Sequence, residues 1–327
     1  MNELIRAKSL SEAVELLRNT DFAPLVTAYA DTGDLRTGET ILYSREVEIY
    51  TEIQRYVREP VLSFITALSL RYEVDNLKNA IRLWFDGKVR KRDIGGKTGF
   101  LYRKQIVHHI DVDAVVNAPD IVDLAKSLEG TPYAAIVREN GMKIDTQKSL
   151  FPIEIALDQY FYRYLINAVS PLSKRDQAIA RRMIGVEIDM QNIGWIIRFR
   201  NFYNIPADDA MNFLIPYGFS VDRKTISSVY ASGNVSEILS ELLKKRYGQF
   251  QALLGKGTES QSRLTLMERI LQQITMNEVH KLLAGYPFTI GVILAYFILK
   301  RNEIQTIMNV LNAKYYNLPE ERIRGAL

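Results

Sequence analysis

Three stretches of this chain are versions of one another, and that repetition limits its fold more than any other feature. "RYEVDNLKNAIRLWFDGK" (71–88) returns as "VEIDMQNIGWIIRFRNFY" (186–203) and more faintly as "LKRNEIQTIMNVLNAKYY" (299–316). Aligning Leu77 with Ile193, an offset of 116, lays Asn76 on Asn192, Ile81 on Ile197 and Arg82 on Arg198. Aligning Ile193 with Ile304, an offset of 111, lays Asn192 on Glu303 and Arg198 on Asn309. A separate stretch tests the idea independently. "AVELLRNTDFAPLV" (13–26) matches "LAKSLEGTPYAAIV" (124–137), pairing Thr20 with Thr131, Phe22 with Tyr133 and Val26 with Val137, again at 111. "SELLKKRYGQF" (240–250) keeps Leu242, Leu243 and Tyr247 but not the Thr. The chain therefore reads as three units of roughly 110 residues, with expected boundaries 1–105, 106–215 and 216–327.

Each unit carries a long helical pattern ahead of its signature, with one internal proline: Pro60, Pro171 and Pro287. Proline lacks the N–H of the helical ladder and clashes with the preceding turn, so each segment should bend or break there. Leu77, Ala80, Ile81, Trp84 and Phe85 follow helical spacing. Ile193, Ile196 and Ile197 do the same, as do Ile304, Ile307, Met308 and Leu311. Each signature should bury one stripe. Asp75/Asn76, Asp189/Asn192 and Asn302/Glu303 are expected at or just before the helix starts. There they would accept orphan backbone N–H groups and meet the positive end of the helix dipole. Arg82 and Arg198 occupy one place on the polar side of two units, either solvated or in contact with a partner. "SLSEAVELL" reads as a capping box.

Strand signals are weak. "GFLYRKQIVHHIDVD" (99–113) alternates enough to suggest a short β piece between units; the rest predicts an all-α architecture. The chain has no cysteine, which excludes disulfides and thiolate metal sites and fits a reducing, cytoplasmic setting. The N-terminus lacks the apolar core of a signal peptide. The apolar run Phe288–Leu299 is 12 residues long, against about 20 for a membrane span, so it predicts a buried helix beginning near Pro287. A net charge of +4 permits an acidic partner without demanding nucleic acid.

No catalytic constellation can be named. "GGKTG" (95–99) lacks the earlier glycine of a phosphate loop, since Lys91 stands there, and no apolar strand precedes it. His108 and His109 are adjacent, and in a strand they would point to opposite faces, which makes a poor metal pair. The chain carries no nucleophile elbow, zincin helix or dinucleotide fingerprint. No cofactor is expected.

The stretches "YEVDNLKNAIR", "EIDMQNIGWIIRFRNFY" and "PFTIGVILAYFILKRNEIQTIMNVLNAKYYNLPEERIRGAL" resemble the C subunit of the prokaryotic A-type and V-type rotary ATPases (ATP synthases), which is related to the d subunit of the vacuolar ATPase. The resemblance runs from about residue 4 to the end. Members usually carry more chain before the stretch that here is Arg6–Leu10, so the first helix is expected to be short or absent. The resemblance implies an all-helical funnel of three similar units around a pseudo-threefold axis. It implies a non-catalytic stalk subunit, cytoplasmic and held at the membrane through its complex. Its partners would be a coiled-coil shaft with a small stalk companion and the membrane proteolipid ring; neither nucleic acid nor nucleotide is expected to bind. Asn76, Arg82, Asn192, Arg198 and Glu303 are the candidate partner-facing residues. An open helical scaffold for peptides is the alternative. Its usual periods, however, are about 34–47 residues, far shorter than this repeat.

Overall fold

In the computed structural model, residues 1–95, 97–147, 149–199, 205–218, 230, 243, 247–248 and 260–326 are described. Among them all regular structure is helical. The chain divides into two compact units, Met1–Ala168 with Leu299–Leu327, and Val169–Ile298.

The first unit opens with α1 (Asn2–Arg6), α2 (Leu10–Glu15) and α3 (Ala23–Thr32), followed by the long α4 (Leu35–Gln54). The first helix has five residues. The capping box forms. Ser9 Oγ accepts from the Glu12 N–H at 3.2 Å, and Glu12 reaches back to the Lys8 N–H at 2.7 Å. Next come α5 (Val61–Trp84), α6 (Val112–Asn117), α7 (Ile121–Ser127), α8 (Tyr133–Gln147) and α9 (Phe151–Val169). Aspartates 34, 111 and 120 cap α4, α6 and α7, each accepting from backbone N–H groups of the first turn. One apolar cluster joins Leu4, Val14, Leu25 and Leu42 to Ile304, Ile307, Leu311 and Ile323, from the far end of the chain. Lys314 Nζ donates to the Ala7 carbonyl at 2.6 Å across the same junction.

The second unit holds α10 (Lys174–Arg198), α11 (Ala207–Phe213) and α12 (Ser260–Leu283). Ile184, Ile188, Ile193, Ile196 and Ile197 of α10 are buried, with Ile270, Ile274 and Val279 of α12. Arg182 pairs with Glu278 at 2.5 Å, and Lys281 adds a second cation at 2.7 Å. The final helices are α13 (Ile290–Tyr315) and α14 (Glu320–Ala326).

Helices stop ahead of all three prolines: α4 before Pro60, α9 before Pro171, α12 before Pro287. Three expectations are corrected. The stretch 99–113 forms no strand. A 3-10 turn covers Lys97–Phe100, and irregular chain leads to α6. Its backbone groups bond side chains of α5 instead of a neighbouring strand. The last long helix starts at Ile290, not near Pro287, because other groups cap it. Asp176 Oδ1 accepts from the Ile290 N–H at 2.9 Å, and Thr289 Oγ1 accepts from the Gly291 N–H at 3.2 Å. Its apolar run buries Leu294, Ala295 and Phe297 but leaves Val292 and Tyr296 exposed, so only one side is core. Among the described residues no helix is long and apolar enough to cross a membrane.

The third correction concerns the signatures. Asp75, Asn76, Asp189, Asn192, Asn302 and Glu303 do not start helices. They lie well inside α5, α10 and α13, which begin 12 or more residues earlier. Mid-helix N–H groups are already bonded within the ladder, so these side chains have no capping task there.

Candidate functional site: the signature helices

The recurrent asparagines act as clamps. Asn76 is 7% exposed and Asn192 is 1% exposed. The Asn76 amide donates to the Tyr102 carbonyl at 2.8 Å, and its oxygen accepts from the Tyr102 N–H at 2.9 Å. Asn192 does the same for Ile215, with both bonds at 2.9 Å. A carboxamide offers a donor and an acceptor side by side, so it satisfies one residue's whole backbone as a neighbouring strand would. Each clamp fastens the loop that follows its signature helix back onto that helix.

One turn earlier, acids hold tyrosines. Glu73 accepts from the Tyr133 hydroxyl at 2.8 Å and from the backbone N–H groups of Val107 and His108 at 2.7 Å. His108 Nδ1 lies 2.7 Å from the same carboxylate. Burial, and then the Glu73 charge, hold the Tyr133 phenol well above its ordinary range, so it serves as a donor. At the equivalent place Asp189, fully buried, accepts from the Tyr247 hydroxyl at 3.0 Å. Gly218 allows that approach, since a Cβ there would meet Asp189 Oδ1 at 2.6 Å. The second offset carries this position to Lys300. Its ammonium sits 4.8 Å above the Phe22 ring and 3.0 Å from Asp21. Thus Glu73, Asp189 and Lys300, aligned by sequence, meet Tyr133, Tyr247 and Phe22, which are aligned by sequence too.

The polar face of α5 carries a two-rung ladder to α9. Lys78 Nζ meets Asp158 at 2.7 Å and Asp75 at 2.9 Å. Arg82 Nε meets Glu154 at 2.5 Å. Ascending α5 descends α9, so the two helices run in opposite directions. Burial pushes the Asp158 carboxyl up against the pull of Lys78. Burial also opposes the charge on Lys78, but Asp75 and Asp158 outweigh it and raise its pKa. In the second repeat Gly194 stands where Lys78 does, so that rung is lost.

Of the five candidate residues, the structure buries Asn76 and Asn192 and leaves Arg82, Arg198 and Glu303 exposed. Glu303 pairs with Lys300 at 2.9 Å. The acid–tyrosine bonds were not foreseen from the sequence, although a signal existed. Glu73 is four residues before Leu77 and Asn76 four before Ala80; Asp189 and Asn192 stand likewise before Ile193 and Ile196. A polar residue on the apolar stripe is a buried polar residue, and buried polar groups need partners. The side chains gathered here bond one another and the backbone. Among the described residues no group of His, Asp and Glu has metal-holding geometry.

Residues 1–326 match the family described as ATP synthase (C/AC39) subunit. The chain is similar to proteins named as the C subunit of A-type ATP synthase in three organisms. It is 22% identical to that of Methanocaldococcus jannaschii over 100% of this chain and 81% of the relative. It is 23% identical to that of Methanobrevibacter smithii over 95% and 80%. It is 24% identical to that of Pyrococcus horikoshii over 94% and 80%.

Proposed function

Because this chain belongs to the ATP synthase (C/AC39) subunit family, we propose that it is a non-catalytic central-stalk subunit of an A-type or V-type rotary ATPase. It acts as a socket. It holds the foot of a coiled-coil shaft, with the shaft's small stalk companion, and rests on the membrane proteolipid ring. Torque then passes between ATP chemistry in the head and ion movement in the ring. The chain itself binds no nucleotide.

The observation that carries this reading is the recurrent joint. A residue of each signature helix meets the aromatic of the repeat that follows in order, and Lys300 of the last repeat meets Phe22 of the first. Three units that each bury one stripe and join last to first can surround an axis, whereas an open scaffold has two free ends. The repeats 1–105, 106–215 and 216–327 are the units of that arrangement. Arg82, Arg198 and Glu303 face partners directly. Asn76 and Asn192 contribute by fixing the loops next to them.

The test is retention in the assembled machine. A tagged chain expressed in its host should bring down the shaft and the ring, and failure to do so overturns the proposal. Arg82→Glu and Arg198→Glu should leave the melting temperature nearly unchanged, since exposed charges contribute within about 0.5–1 kcal/mol. They should weaken retention and uncouple ATP-driven ion pumping while ATP hydrolysis persists. Normal coupling in both variants would move the contact surface elsewhere.

A further inference from the structure

The loop that Asn76 fastens carries most of the chain's net charge. Between residues 86 and 97 stand Lys88, Arg90, Lys91, Arg92 and Lys97 against Asp86 and Asp93, a surplus of three out of +4 for the whole protein. All five cations are exposed. The loop is held at both ends. A π-turn over Phe85–Val89 starts it, and the Arg92 N–H donates to the Asp86 carbonyl at 2.8 Å. At the other end Asn76 grips Tyr102. Arg103 donates to the Thr98 and Leu101 carbonyls at 3.1 Å and pairs with Asp113 at 2.8 Å. Lys91 is in the left-handed region, φ 56°, which a long side chain adopts only where surrounding structure imposes it. The corresponding loop of the second repeat reverses the balance, with Asp208 and Asp209 opening α11.

We propose that this loop is an electrostatic contact for an anionic bilayer surface. Its cations spread over exposed turns, and the large apolar side chain of Phe100, 38% exposed, belongs to the same short turn as Lys97. A protein partner is held chiefly by a desolvated cluster of anchors. A headgroup plane needs only charge density and an aromatic that sits at the interface. Membership of a membrane-associated complex brings such a plane within reach. The proposal rests on the stalk reading for that placement alone, and it concerns lipid, not the shaft or ring.

The experiment uses the whole chain and sedimented vesicles, either phosphatidylcholine alone or phosphatidylcholine with phosphatidylglycerol. Binding should require phosphatidylglycerol and weaken with salt. Changing all five cations to Gln should reduce it by about tenfold or more, and Phe100→Ala by less. A control replacing five exposed cations elsewhere, Arg6, Lys8, Arg36, Lys126 and Arg138, should retain most of the binding. Unchanged melting would establish that each variant is folded. Equal binding to both vesicle types, or equal loss in the control, overturns the proposal. Capture of polyglutamate by the loop with no binding to phosphatidylglycerol also overturns it and points to an acidic protein segment. Co-purification with the ATPase is scored separately, so failure here leaves the stalk reading intact, and failure there leaves lipid binding intact.

Discussion

The first and second signature helices share an interior and differ in their exteriors. Both clamp a following loop through an asparagine, and both hold a tyrosine through an acid one turn earlier. On the face that packs against α9, α5 has Lys78, Asp75 and Asp158 knotted together, while α10 has a glycine at the matching place. The clamped loop is basic after α5 and contains an acidic helix start after α10. Buried hydrogen bonds restrain substitution from both ends, because changing either partner strands the other away from water. The exposed charges of the following loops carry no such penalty. The joints thus recur in both helices while the charges of the loops that follow them differ.

The largest test of that comparison is the clamp itself. Asn192→Ala orphans the N–H and carbonyl of Ile215, at about 1–3 kcal/mol for each group. Asn76→Ala orphans those of Tyr102, whose 8% exposure gives water more access. Denaturant melts should show both variants strongly destabilised, the second repeat more than the first. A negligible effect at one site would mean that the two clamps are not equivalent. Next come the stripe residues Ile81 and Ile197, which are 1% and 0% exposed. Truncation of either to Ala should cost about 2–5 kcal/mol and lower melting by several degrees, to a similar extent in both repeats. Unequal losses would locate the tighter core.

The smallest effect belongs to the Lys78 rung, which Gly194 removes from the second repeat. Asp158→Asn should change stability at neutral pH by less than either truncation above, because Asp75 still pairs with Lys78 once the Asp158 charge is gone. Its pH dependence has a definite sign. Burial raises the folded pKa of Asp158 above its ordinary 3.8. The folded state therefore keeps the proton longer than the unfolded one. The native advantage over the variant should be full below about 3.8 and decline as pH rises through the raised value. Melts across that range that show the opposite trend would mean that Lys78 dominates.

Much of the fold was legible because its determinants are local. Helical spacing, prolines at the breaks and the Ser9–Glu12 box each act within a few residues, and each appears where the pattern put it. The asparagines were legible as a recurrence and misread as caps. Helix interior and helix start look alike when the preceding stretch is itself apolar and helical, as it is from Val61 to Leu70. Lys78–Asp158 and Arg82–Glu154 could not be read at all, since their partners stand about 80 and 72 residues apart and only the packing of α5 on α9 unites them. The bonds of Glu73 to the backbone of Val107 and His108 also explain the false strand. An extended segment that satisfies itself on a helix carries the same alternation as one that pairs in a sheet.

The junction between Leu4, Val14 and Leu25 and the residues Ile304, Ile307, Leu311 and Ile323 has a consequence for how the protein is made. Ribosomes extend a chain at roughly 5–20 residues per second. The opening helices, which also pack on one another and on α4, therefore spend on the order of 15–60 s without the counterpart nearly 300 positions downstream. During that interval Leu4, Val14 and Leu25 lack the downstream part of their core, Ile304, Ile307, Leu311 and Ile323.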